Sequence, residues 1–213
     1  MKRYWAIYVK KGPAHSAEKV IKEFYRICQR HLYNPKKRTS DELYRVFYYD
    51  CKPFDKRIHH PITNRMIDFG KSDVATFQNE FLAQLRKSRK VALRLGYLND
   101  PKRWVINPRR TKDLLKGKIE VHDLEERDVR YQLNQKGVDI KIGIDIASLA
   151  FKKLVDKIIL ISGDGDFVPA AKLARREGID FILDPMWNPI DDSLFEHIDG
   201  LSSGVTRPEH WNG

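Results

Sequence analysis

"KIILISGDGDFVPAAKLARREGIDFILD" (residues 157–184) holds two apolar runs separated by a pair of aspartates and a helical pattern. The first run, "KIILIS", is continuous rather than alternating, the form of a strand buried on both faces of a parallel sheet. A helix is expected from the Phe-Val-Pro that follows "GDGD" to about Glu177, where Gly178 stops it. "IDFILD" (179–184) reads as the next strand. In sheets of this kind ligands bind beyond the carboxyl ends of the strands. Asp164, Asp166 and Asp184 all fall at such ends, and Asp50 closes a second apolar strand, "YRVFYYD" (44–50).

Upstream, "DIKIGIDIASLAFKKL" (139–154) is helical, with a polar stripe at Lys141, Asp145, Ser148 and Lys152 and apolar residues elsewhere, so it is expected to be deeply packed. "RYWAIYV" (3–9) reads as a buried strand, and a helix follows from about Ser16 through Val20, Phe24, Ile27 and Leu32. "CKPFDKRIHHPITNR" (51–65) reads as loop, with His59 and His60 solvated. Phe77, Phe81 and Leu85 mark another helix. "VALRLGYL" (91–98) is a strand with which "RWVIN" (103–107) pairs as a short hairpin, and a last helix covers "DDSLFEHIDGL" (191–201). Strand–helix alternation predicts an α/β fold, a mostly parallel sheet with helices on both faces, in a single domain over about 4–201 with a short polar tail.

Apolar residues make up 41% of the 213-residue chain and aromatics 11%, which excludes a disordered chain. No apolar run reaches a membrane span and no signal-peptide core is present, so a cytoplasmic protein is expected. Two cysteines, Cys28 and Cys51, exclude a disulfide framework and a zinc cluster. The net charge of +11 is unevenly spread. Residues 139–213 carry 8 Lys+Arg against 13 Asp+Glu, net −5, and residues 1–138 carry 32 against 16, net +16. A basic body beside an acidic terminal third suits a polyanion partner around a carboxylate cluster.

Capping accounts for some of the carboxylates. Asp166, before Phe-Val-Pro, is a good helix N-cap, and Asp139 could cap the helix it opens. Asp164 lies between glycines that would let something approach the backbone. Asp145, on a polar stripe amid apolar residues, needs a partner, either Lys141 one turn back or a cation. The functional reading gathers these aspartates around Mg²⁺ or Mn²⁺, because clustered carboxylates repel unless a cation neutralises them.

"KGVDIKIGIDIASLA" followed by "ILISGDGDFVPAAKLARREG" resembles the NYN domain, a branch of the PIN-like nucleases; "RVFYYDCKPFD" resembles its second strand and "LFEHIDGL" its closing helix. The resemblance implies a PIN-like three-layer sandwich and metal-dependent cleavage of RNA. It makes Asp139, Asp145, Asp164 and Asp166 the catalytic acids, with Asp139, Asp164 and Asp166 as the metal ligands. One departure stands out. Where the family's first strand ends in aspartate, "AIYVKKGPA" places Lys10, followed by Lys11.

Two functions therefore compete. One is a Mg²⁺- or Mn²⁺-dependent ribonuclease, endonucleolytic on single-stranded RNA. The other is a degenerate domain that binds RNA or a protein partner without cleavage, the Lys10 ammonium replacing a ligand aspartate. "GDGD" also resembles the late acidic motif of haloacid-dehalogenase-like phosphatases, but "YVKKG" lacks the Asp-x-Asp that their first strand requires. RNA is expected on the basic body, at Lys10, Lys11, Lys102, Arg103, Arg109, Arg110 and Lys112, with Trp104 and Tyr97 as stacking surfaces. A homo-oligomer is compatible with either reading, and a membrane partner with neither.

Overall fold

A computed structural model describes residues 16–34 and 39–206. The strand expected over 3–9, with Lys10 and Lys11 after it, lies outside the described residues. In chain order the elements are α1 (Ala17–Leu32), β1 (Tyr33–Asn34), β2 (Thr39–Ser40), β3 (Val46–Cys51), β4 (Arg57–His59) and β5 (Met66–Asp68). Then come α2 (Asp73–Lys87), β6 (Val91–Asn99), β7 (Trp104–Ile106), α3 (Pro108–Leu115), β8 (Val129–Tyr131) and β9 (Asn134–Lys136). The chain ends with α4 (Val138–Phe151), β10 (Lys157–Leu160), α5 (Val168–Arg176), β11 (Asp180–Leu183), α6 (Asp192–Phe195) and β12 (Gly200–Leu201). Strands β10, β11 and β12 pair in parallel, whereas β1–β2, β4–β5, β6–β9 and β7–β8 are antiparallel. The fold is mixed α/β, and its sheet is only partly parallel.

The described residues form two units. The first draws on the described residues up to Tyr49, on Phe81–Arg94 and on the described residues from Asp139 onward, and the second comprises Asp50–Glu80 and Leu95–Val138. In the first, β10 lies beside β11 in a register running from Lys157↔Asp180 to Leu160↔Leu183. Their side chains join Ile146 and Ala150 of α4, Ala171 and Ala174 of α5 and Leu194 of α6 in one core, with Phe181 and Leu183 fully buried. Burial of a Phe or Leu contributes about 1.5–3 kcal/mol, which explains why Leu160, Phe181 and Leu183 are apolar here. Helix α1 begins where the Ser16 side chain accepts from Lys19 N. It buries Phe24, whose ring meets Tyr48 edge-on at 6.0 Å, and Tyr48 in turn meets Phe81 at 5.5 Å.

Helix α4 departs from expectation. Ile146, Leu149 and Ala150 are buried, but Ile140 is 69% and Ile144 62% exposed. The helix is apolar on two opposite faces and packs through one of them, so it is not deeply packed. The last helix is also shorter than expected. After one turn at Asp192–Phe195, the Asp199 carboxylate accepts from Phe181 N (2.9 Å) and Arg175 Nε (2.9 Å), drawing the chain out as β12 beside β11.

In the second unit the segment expected as loop contains a hairpin, with Arg57↔Asp68 and His59↔Met66 paired. β7 pairs with β8 (Trp104↔Tyr131), not with β6, whose partner in this unit is β9 (Tyr97↔Lys136). His60 is 2% exposed rather than solvated, its ring 4.7 Å from that of Trp104. Tyr131, Phe54 and Phe69 complete this aromatic cluster. The Tyr131 hydroxyl donates to Asp100 (2.5 Å), as does Lys56 Nζ (2.9 Å).

These bonds hold the Asp100 carboxyl down at about 2. A carboxyl lowered on folding contributes stability that is complete above its unfolded value near 3.9 and is lost as pH falls toward 2. Melting temperature should therefore drop between pH 4 and pH 2, and Asp100→Asn should flatten that drop. An equally steep fall in the variant would assign it to other carboxylates.

Candidate functional site

The turn after β10 is built by its own side chains. Asp164 N donates to Ser162 Oγ (3.2 Å), and the Asp164 carboxylate accepts from Asp166 N (3.0 Å). The capping role expected of Asp166 thus falls to Asp164, and α5 itself starts without a side-chain cap. The glycines admit a chain segment. A Cβ on Gly163 would stand 2.5 Å from Pro189 O, and one on Gly165 would stand 2.8 Å from Asp191 Cγ. What approaches the backbone here is Pro189–Asp191, anchored by Asp191 N donating to Gly163 O (2.9 Å).

Asp191 is a carboxylate the sequence reading passed over. Its only signal was the position before "DSLF", read as part of a helix. Its Oδ1 accepts from Ser193 N and Ser193 Oγ, bonds that lower its pKa, and so it is occupied in capping α6. Asp164 and Asp166 are both exposed, and neither is ion-paired within the described residues. Asp139 is also exposed, inside the first turn of α4 rather than capping it.

Asp145 is differently placed. Its Oδ2 accepts from both the Tyr49 hydroxyl (2.8 Å) and Arg94 Nε (2.9 Å), and its side chain is 18% exposed. The partner demanded by its apolar surroundings is Arg94 rather than Lys141. Burial and then the neighbouring carboxylate push the Tyr49 pKa far up, so its hydroxyl stays a donor. The Arg94 guanidinium lies 5.0 Å from the Phe47 ring centroid. Asp184, fully buried, accepts from His31 Nε2 (2.8 Å), Gly204 N (2.9 Å) and Met186 N (2.7 Å), which makes it structural.

Among the described residues, no group of three or more His, Cys, Asp or Glu side chains is gathered to hold a metal ion. The described residues do not build an all-protein cage, and Asp145 has one oxygen, Oδ2, already engaged by Tyr49 and Arg94. Mg²⁺, however, commonly keeps several waters and binds through one or two carboxylates plus substrate phosphates. The exposed Asp164 and Asp166 fit that smaller demand.

The basic run lies in the second unit. Asn107 caps α3 by accepting from Arg110 N (2.9 Å), with Pro108 in the first turn. The "NP" pair is a helix-start signal that the sequence reading did not use. Arg109, Lys112 and Lys116 are exposed at 3-4 spacing, hence on one side of the helix end. Arg110 instead pairs with the buried Asp128 (3.2 Å). Arg103 Nε donates to Gln132 Oε1 (2.8 Å), Lys102 N to Asp100 Oδ1 (3.0 Å), and the Lys102 side chain is exposed. The Trp104 ring packs against His60 and Tyr131, so it serves the fold, whereas Tyr97 is 64% exposed.

A family model described as NYN domain matches residues 63–188, more than half of the chain and inclusive of Arg94, the basic run, Asp139, Asp145, Asp164 and Asp166. No curated protein and no solved structure matches the chain.

Proposed function

This chain belongs to the NYN domain family, and from that premise we propose that it is a metal-dependent ribonuclease acting endonucleolytically on single-stranded RNA. The observation that carries the reading is the pair of exposed carboxylates, Asp164 and Asp166, directly beyond the carboxyl end of β10 and inside the matched segment. With waters and RNA phosphates they would hold Mg²⁺ or Mn²⁺, which supplies charge neutralisation at a phosphodiester and an activated water, Asp139 being exposed but not gathered with them among the described residues. The chain's own part is to fix the Asp164 carboxylate through its bond to Asp166 N. A three-layer PIN-like sandwich over about 4–201, in a cytoplasmic protein, belongs to the same proposal, as does self-association or a protein partner.

RNA contacts are assigned to Arg109, Lys112 and Lys116, with Lys102, Arg103, Lys10 and Lys11 as further phosphate partners. Beside α3 an open cleft of about 600 Å³, lined by Ile106, Pro108, Thr111, Lys112, Leu115 and Lys116, offers an apolar floor under a basic rim. Arg109→Glu/Lys112→Glu/Lys116→Glu should weaken RNA binding by about 10-fold or more and flatten its salt dependence, because fewer counterions are released. An unchanged slope would place the footprint elsewhere.

A second reading is the domain that binds RNA without cleaving it. It is favoured by the neutralisation of Asp145 by Arg94, beside which no three-ligand group is gathered among the described residues. Thermal denaturation with and without Mn²⁺ separates the two. The nuclease reading expects a rise in melting temperature that Asp164→Asn abolishes, by mass action on the folded state. No rise in the wild type supports the binder.

A further inference from the structure

We propose that the Arg94 guanidinium is a phosphodiester-binding group, held ready for the RNA backbone by Asp145, Tyr49 and Phe47. The inference rests on the RNA reading above and adds a contact outside the basic run. Four observations carry it. Arg94 meets Asp145 through Nε alone, at 2.9 Å. Asp145 gives both Arg94 and the Tyr49 hydroxyl the same oxygen, Oδ2. The guanidinium sits over the Phe47 ring at 5.0 Å. The Arg94 side chain is 39% exposed.

An arginine whose whole purpose is to neutralise a carboxylate commonly does so fork to fork, two N–H groups on two oxygens. Here the contact is side-on. It consumes one of five donors and leaves both Nη groups, which have no acceptor among the described residues. The ring below fixes the plane of the fork and the carboxylate fixes its rotation, so less side-chain freedom remains to be lost on binding. A planar pair of N–H groups at this spacing matches two oxygens of a phosphate. Lysine offers no such fork, and the exposed lysines of α3 act as point charges. Tyr49, by donating to the same Oδ2, helps to hold the carboxylate in place beside Arg94. Asp145 is on this account a positioning residue.

The test is equilibrium binding of the full chain to a labelled single-stranded RNA oligonucleotide, without divalent ions, over a range of salt. Arg94→Gln should lower affinity on the order of tenfold and make the slope of log K against log salt shallower by about 0.7, the value of one phosphate contact on a single strand. Arg94→Lys should keep the slope and lose affinity, since the charge remains but the fork does not. Asp145→Asn should do the same, because Arg94 stays charged but loses its tether. If Arg94→Gln leaves Asp145 too poorly compensated to fold, Arg94→Gln/Asp145→Asn removes the pair together and should show the same change in slope. Wild-type slope and affinity in Arg94→Gln and the double variant would overturn the proposal while leaving RNA binding intact. Wild-type affinity in Arg94→Lys would overturn the fork. A wild type that fails to bind RNA would overturn both this inference and the reading beneath it. Uridine monophosphate should bind far more weakly than the oligonucleotide, and equal affinity would overturn backbone recognition in favour of a mononucleotide pocket.

Discussion

Asp184→Ala is expected to lower the stability of the fold by about 3–5 kcal/mol, a large share of the ~5–15 kcal/mol that holds a typical domain. The carboxylate is fully buried and accepts three bonds, from His31 Nε2 at the end of α1, from Met186 N just past β11 and from Gly204 N in the C-terminal turn. Truncation strands all three donors away from water, and each buried unsatisfied donor costs about 1–3 kcal/mol. Burial by itself raises the Asp184 pKa, yet the bonds from His31, Gly204 and Met186 outweigh it and the net shift is downward. The carboxylate therefore contributes stability above the unfolded value near 3.9, and that contribution disappears as pH falls below it. Urea unfolding at pH 7 should show a lower midpoint for Asp184→Ala and a smaller decrease for Asp184→Asn, which keeps an acceptor. A midpoint equal to wild type would mean that these three segments are held without Asp184.

Asp164→Asn is expected to reduce RNA cleavage by at least about 100-fold, because the charge stabilisation supplied at the phosphodiester is worth several kcal/mol. Stability should barely change. Asparagine caps a helical turn about as well as aspartate, so the bond from Asp166 N survives the substitution. Asp164→Ala should lose cleavage and about 1 kcal/mol of stability together. Asp166→Asn should lose cleavage at no structural cost, since no bond of its side chain holds the turn among the described residues. Cleavage rates and melting temperatures on the same preparations check the contrast. Equal cleavage in wild type and Asp164→Asn would remove Asp164 from the chemistry.

Residues 157–184 were readable because Leu160, with the half-buried Ile158, enters the core from an apolar run, and because proline and Gly178 punctuate the helix between the strands. The hairpin Arg57–His59/Met66–Asp68 was hidden for the opposite reason. Arg57, His59 and Met66 are exposed, so no apolar alternation marks either strand. The partner of β7 was hidden by distance, since β8 lies more than 20 residues downstream and backbone pairing leaves no local trace. Helix α4 misled because apolar residues on every face but one polar stripe imply burial, whereas Ile140 and Ile144 are exposed. At the site, the residue types were legible and their partners were not. Nothing local in "RLGYL" connects Arg94 with Asp145, 51 positions away. The glycines of "GDGD" looked open to a ligand, yet the space they leave is filled by Pro189–Asp191.

On the proposed function the carboxylates beyond β10 support RNA cleavage with a divalent ion. Incubation of the wild-type chain with a labelled single-stranded RNA, in Mn²⁺ and in excess EDTA, tests it most directly. Internal cleavage is expected in Mn²⁺ and none in EDTA; cleavage that continues undiminished in EDTA would rule the metal-dependent reaction out.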